Sequence, residues 1–122
     1  MQETSNKYMF EAAVQRPLSV VFSHPNGAWE GHDYMIEVVT QRKGLDGFDV
    51  VMDFRELETH LDTLLDPFRG KLLSEFGIHD PIELAQHLER GLKNHVLPPV
   101  HIKEINLIDG HHQRLTYRVD RG

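Results

Sequence analysis

The sequence predicts an α+β domain: a four-stranded antiparallel sheet with two helices on one face, in the order β-β-α-α-β-β. Three observations predict it. Apolar residues alternate with polar ones before residue 54 and again after residue 99, the period of half-buried strands. Between these blocks, apolar residues recur every three or four positions, the period of a helix with one buried face. The strands within each block are joined by short turn sequences, which makes neighbours antiparallel.

The first strand covers "YMFEAAV" and "PLSVVF", Tyr8 to Phe22, as one long or interrupted element. The stretch "SHPNGAWEG" is a loop, marked by Pro25, Asn26, Gly27 and Gly31. The second strand is "HDYMIEVVTQ", with His32, Tyr34, Ile36 and Val38 on one face. "RKGLDG" reads as a turn, with Gly44 and Gly47 free to take positive φ. "FDVVMDF" follows as a short strand or a continuation of the sheet.

In "FRELETHLDTLL", Phe54, Leu57, Leu61, Leu64 and Leu65 form a helical stripe. Asp53 can cap its start, with Glu56 three residues later, and Pro67 stops it. "FRGKLLSEFGIH" reads as a connection. "DPIELAQHLERGLKN" carries stronger signals: Asp80 at the cap, Pro81 at the first helical position, Glu83 in the first turn. Leu84, Ala85, Leu88 and Leu92 face the core, and Pro98 and Pro99 end the segment. The last two strands are "VHIKEINLI" and "RLTYRV". Val100, Ile102 and Glu104 alternate onto one face, and Asp109-Gly110 provides the hairpin turn.

Composition narrows the function. The 122 residues are enough for one domain with a sizeable core, and residues 1–122 show no linker, repeat or low-complexity tract. A net charge of −6 argues against general nucleic-acid binding. No apolar run approaches the ~20 residues that span a bilayer, and "MQETSNKY" has no signal-peptide pattern. There is no cysteine, which removes disulfides, thiolate metal sites and a thiol nucleophile, and suits a cytoplasmic protein. Nine histidines is a high count for this length, so metal or acid–base work has to be weighed.

The pair Glu30 and His32 draws attention first. Residues two apart on a strand point the same way, so this carboxylate and imidazole can share a metal, form a hydrogen-bonded pair, or sit in solvent.

Taken together, "FEAA" in the first strand, "GHDY" opening the second, "VMDF" before the first helix, "LLD" at its end and "KE" in the third strand resemble the 6-pyruvoyltetrahydropterin synthase family. That family includes the 6-carboxytetrahydropterin synthases of queuosine biosynthesis. The resemblance runs from about Phe10 to Tyr117 and lies in the order and spacing of the motifs. It implies the tunnelling fold (T-fold), barrels closed between subunits, commonly a homohexamer, and active sites between subunits. It also implies a zinc ion held by three histidines, a cysteine and an Asp-His pair that move protons, and a glutamate that anchors the pterin edge.

Carried over by position, the resemblance assigns few of these parts. The first-strand histidine falls at Val14. The first histidine of the His-x-His is Glu30, and the second is His32. The cysteine falls at or beside Asn26. The aspartate of the Asp-His pair is Asp66, followed by Pro67. The pterin-anchoring glutamate is Glu104, followed by Ile105, and "HDPIEL" stands before the second helix. The final hairpin is longer and carries His111 and His112. The candidate residues are thus Asp66 for catalysis, Glu104 for substrate, and His32 with Glu30 for a metal.

Each has a plainer reading. With Val14 unable to ligate, a third ligand at the Glu30–His32 pair would have to come from His24 or from another subunit, and a polar pair is favoured. Glu104 is either an internal salt bridge to Arg114 or Arg118, or the anchor for a heterocycle. Asp66 without a neighbouring histidine reads more simply as a turn residue. His60 and His87 fall at exposed or boundary helix positions, and His111 and His112 in a solvated turn.

The functional reading that follows is a divergent family member with a pterin-like or purine-like pocket and without the zinc-dependent lyase reaction. The alternatives are an active lyase whose rebuilt site uses Glu30, His32 and Asp66, and a non-catalytic oligomeric scaffold. The partners expected are a small heterocycle and further copies of the chain.

Overall fold

The computed structural model describes residues 8–44, 51–110 and 113–119. Two long strands open it, β1 (Met9–Ser23) and β2 (Trp29–Lys43). They pair antiparallel without interruption from Met9 opposite Lys43 to Ser23 opposite Trp29. The loop between them is closed by hydrogen bonds from His24 N–H to the Ala28 carbonyl (2.8 Å) and from Gly27 N–H to the His24 carbonyl (2.9 Å). Gly27 takes a φ of 86° there, which a side chain would strain.

The first helix, α1 (Phe54–Leu65), starts at Asp53, whose side chain accepts from Arg55 N–H. A 3-10 turn over Asp66–Phe68 follows it. The second, α2 (Pro81–Leu92), starts at Asp80, which accepts from Glu83 N–H at 2.8 Å. The Glu83 carboxylate accepts in return from His79 N–H at 2.7 Å, so donors at the helix start are satisfied from both sides. Strands β4 (His101–Asp109) and β5 (Gln113–Arg118) finish the fold as a hairpin.

The sheet has five strands rather than the expected four, and with β3 (Lys71–Leu72) included their order is β3-β1-β2-β4-β5. The addition is β3, inside the segment that reads as a plain connection, and it pairs parallel with Val20 and Val21. Gly70, at φ 69°, turns the chain there and donates to the Ser19 carbonyl. Two residues are too few to show a sequence period, so pattern alone cannot reveal this strand. The "FDVVMDF" segment begins outside the described residues, and Val51 and Met52 lie in a bend. Gly47, His111 and His112 also lie outside them.

The even-numbered residues of β1 and β2 face the helices. Ala12, Val14, Leu18, Val20, Phe22, Tyr34, Ile36 and Val38 join Leu57, Leu61 and Leu65 of α1 and Leu84, Ala85, Leu88 and Leu92 of α2 in one core.

Glu104 requires a correction. The alternation puts it on the face of Val100 and Ile102, yet the register slips between Val39 and Thr40. Thr40 stands opposite Ile102, while Val39 stands opposite Glu104. This bulge turns the strand over, so Ile102, Ile105 and Leu107 face the core. Glu104 and Asn106 therefore share the opposite face, with Glu37.

Candidate functional site

His32 lies near the start of β2, on the helix-covered face beside Phe22 and Tyr34. Its ring stacks on Tyr34, with centroids 5.1 Å apart and planes within 8°. Phe22 meets it edge-on at 5.9 Å. Both ring nitrogens contact carboxylates. Nε2 is 2.7 Å from Glu30 Oε2, and Nδ1 is 2.6 Å from Asp109 Oδ2. The i, i+2 rule thus brings Glu30 and His32 together as expected. Asp109 comes from the far end of β4, where it stands opposite Tyr34.

The electrostatics follow from this arrangement. Burial acts to lower the His32 pKa, but the hydrogen bonds to Asp109 and Glu30 and their charges outweigh it, leaving it above the ordinary histidine value. Burial, and then the charges of Asp109 and Glu30, push the Tyr34 phenol up to about 12.

Two clefts flank the triad. One, of about 510 Å³, lies between the β1–β2 loop and the start of α2, and includes Phe22, His24, Glu30, His79 and Pro81. The other, of about 330 Å³, has His32, Tyr34, Pro81, Asp109 and Leu115 in its wall. His24 Nε2 is 3.8 Å from Glu30 Oε2 across the first cleft.

The other expected residues lie elsewhere. Asp66 sits at the end of α1 and accepts from Arg69 Nε at 3.0 Å. Arg69 also reaches the Pro17 carbonyl and lies 3.6 Å from Asp62. Asp66 therefore belongs to a surface ion-pair group and does not join Glu30 and His32.

Glu104, half-buried on the opposite face, accepts from Asn106 Nδ2 at 2.9 Å. The same amide nitrogen donates to Glu37 at 2.8 Å, and Glu37 also accepts from Gln15. Neither glutamate forms an ion pair with Arg114, Arg118 or another described residue. Asn106 is buried, and its Oδ1 has no hydrogen-bond partner among the described residues.

A zinc ion does not fit the described residues as they stand. Among the described residues, no group of three or more His, Asp or Glu side chains is placed to hold a metal. An imidazole binds zinc through a free nitrogen lone pair, and both His32 nitrogens already meet carboxylates. The position carried over from the first-strand histidine, Val14, pairs with Val38. It stands six residues from Val20, which faces His32, or ~20 Å at ~3.3 Å per residue. The positions opposite His32 and Glu30 are Val20 and Phe22, both buried and without donors.

Sequence reasoning missed Asp109, because an Asp-Gly pair at a strand end reads first as a hairpin turn. It missed Glu37 because only strand register places it opposite Asn106. Asn106 had a local signal, since it stands two residues from Glu104 on the same strand and shares its face.

The 6-pyruvoyl tetrahydropterin synthase family model matches residues 5–120. No curated protein matches the sequence. Among solved structures, the chain is similar to the 6-pyruvoyl tetrahydropterin synthase of Caenorhabditis elegans, at 16% identity and a TM-score of 0.75, covering 93% of this chain and 97% of that one. It is also similar to the enzyme of Plasmodium vivax, at 11% identity and 0.67, covering 93% and 99%. The Plasmodium falciparum enzyme matches at 14% and 0.65, covering 91% and 99%. At these identities the likeness to solved structures is one of fold.

Proposed function

The chain belongs to the 6-pyruvoyl tetrahydropterin synthase family, and from that premise we propose that it binds a pterin-like or purine-like heterocycle without the zinc-dependent lyase reaction. The observation that carries the reading is the polar group on the outer face. Glu37 and Glu104 are bridged by a single neutral amide, that of Asn106. Asn106 is the one donor these two half-buried carboxylates share, Gln15 donates to Glu37 alone, and neither glutamate forms an ion pair with a described residue, so acceptor capacity is left over on this face. A flat ring edge with adjacent N–H groups supplies the missing donors, and carboxylates bind such an edge through paired hydrogen bonds.

The reading includes assembly of several copies, with the family's hexamer as the proposed form. The edge of β1 is covered by β3 only at Val20 and Val21, and open strand edges are commonly covered or paired.

The test is a thermal-shift series with pterins and guanine-like heterocycles on the wild type and on Glu104→Ala. Ligand binding raises Tm by mass action. A rise in the wild type that Glu104→Ala abolishes supports the proposal; no rise in the wild type overturns it.

A second reading, a lyase with a rebuilt site, draws on one observation. The structure supplies an Asp–His pair, Asp109 with His32, where the resemblance expects one at Asp66 and Pro67. Turnover of a pterin substrate that is lost in His32→Gln would establish this reading over the first.

A further inference from the structure

The residues around His32 depart from a three-histidine set at a definable place in the sheet. Three positions converge on the helix-covered face near the start of β2. His32 is opposite Val20, Glu30 is opposite Phe22, and Glu30 and His32 are neighbours along the strand. Directly opposed side chains have Cβ atoms ~4.5–5.5 Å apart, so residues 20, 30 and 32 share one small volume. In this chain it holds a valine, a glutamate and a histidine. The valine is 2% exposed and packs into the core. The glutamate closes onto the imidazole at 2.7 Å, and Asp109 holds the other nitrogen at 2.6 Å.

We propose that this clamp of two carboxylates on one imidazole has replaced a metal centre. In this proposal Val20 and Glu30 are the two positions that separate the chain from a three-histidine zinc site. The proposal takes the identity of the metal from the family reading and is independent of the pocket at Glu104. Glu30 performs the exchange. A histidine there would offer a second neutral lone pair beside His32, whereas the carboxylate consumes the one His32 has. The Nδ1 contact with Asp109 is the kind that orients a metal-ligating imidazole, but the other nitrogen is held by Glu30. The adjoining cleft also holds His24, on the exposed loop 3.8 Å from Glu30, and His79, but among the described residues no three such side chains are placed to hold a metal. A tetrahedral protein site needs at least three ligands. With the His32 nitrogens engaged, His24 and Glu30 fall short of that number.

The experiment is a zinc titration of the metal-stripped full chain against a chromophoric chelator, paired with Tm measured with and without zinc. The wild type, in whatever oligomeric state it adopts, is expected to take up well below one zinc per chain and to show no zinc-dependent rise in Tm. The double variant Val20→His, Glu30→His is expected to take up about one zinc per chain and to gain Tm with it. One zinc per wild-type chain, lost in His32→Ala or His24→Ala, overturns the proposal. So does a double variant that shows native circular dichroism and takes no zinc. If the core rejects histidine at position 20, the wild-type titration still decides whether the clamp has displaced the metal. Because no heterocycle enters these measurements, the pocket reading and the metal reading fail separately.

Discussion

His32 and Asp109, 77 residues apart in the chain, meet through a 2.6 Å contact between Nδ1 and Oδ2. The contact ties the start of β2 to the end of β4 and sets the protonation of the imidazole. Because the folded His32 pKa is raised, protonation is linked to stability. The contribution is fully present below the unfolded value of about 6.5 and is lost as pH rises through the folded value. His32→Gln should therefore cost more Tm at about pH 6 than at about pH 8. Equal cost at both would show that the imidazolium form is not favoured by the fold. His87 runs the other way. Burial, and then the charge of Arg90, lower its pKa, so its contribution is present above about 6.5 and lost as pH falls through the folded value. Measuring the difference between variant and wild type cancels that trend.

Asn106 keeps two carboxylates together by donating to both. Asn106→Asp replaces the shared donor with a third carboxylate at a position 1% exposed. The expected loss is upward of about 2 kcal/mol in urea unfolding at neutral pH, since a buried unpaired charge is among the larger single-site costs. Stability should recover partly as pH falls and the cluster takes up a proton. No loss at neutral pH would mean that the carboxylates do not depend on the amide.

Gly91 is a helical glycine whose replacement should act against propensity. Alanine is ordinarily better in a helix by about 1 kcal/mol. A Cβ at position 91, however, would stand 2.5 Å from Leu64 Cδ2 and 2.9 Å from its Cδ1. That contact is where α1 and α2 meet, and overpacking of this kind costs about 1–3 kcal/mol. Gly91→Ala is expected to lower stability. Adding Leu64→Ala should recover part of the loss, giving a non-additive double-mutant cycle. Additive effects would show that the two helices do not touch there.

Thr40 is fully buried, and its hydroxyl donates to the Ala12 carbonyl at 3.0 Å. Thr40→Val keeps the shape and removes the donor. The expected cost is about 1–2 kcal/mol by chemical denaturation. A neutral result would mean that the carbonyl is satisfied by its strand partner alone.

The helices were legible in the sequence because their signals are local. The stripe of Leu57, Leu61 and Leu65 and the capping residues Asp53 and Asp80 act within a few positions of the elements they define. Pairing of the long hairpin was legible for the same reason, since alternation and a Pro-Asn-Gly turn determine it. The i, i+2 relation of Glu30 and His32 followed from strand geometry. The family resemblance was legible too, through motifs that keep their order along the chain.

Other features depend on register, which local pattern does not contain. Val14 and Val20 both alternate inward on β1, and only the pairing of the two strands shows that Val20, not Val14, faces His32. The bulge beside Thr40 is a slip of one position, and it decides whether Glu104 faces the core or Glu37.

The sequence by itself determined the fold class, both helices with their caps, and the membership of Glu30 and His32 in one face, because those properties come from neighbours along the chain. Tertiary structure alone decided that Asp109 completes the histidine's coordination by carboxylates and that Glu37 joins Glu104 at Asn106. Both are contacts made by bringing distant segments into register, and sheet register is settled by the packing of the whole core.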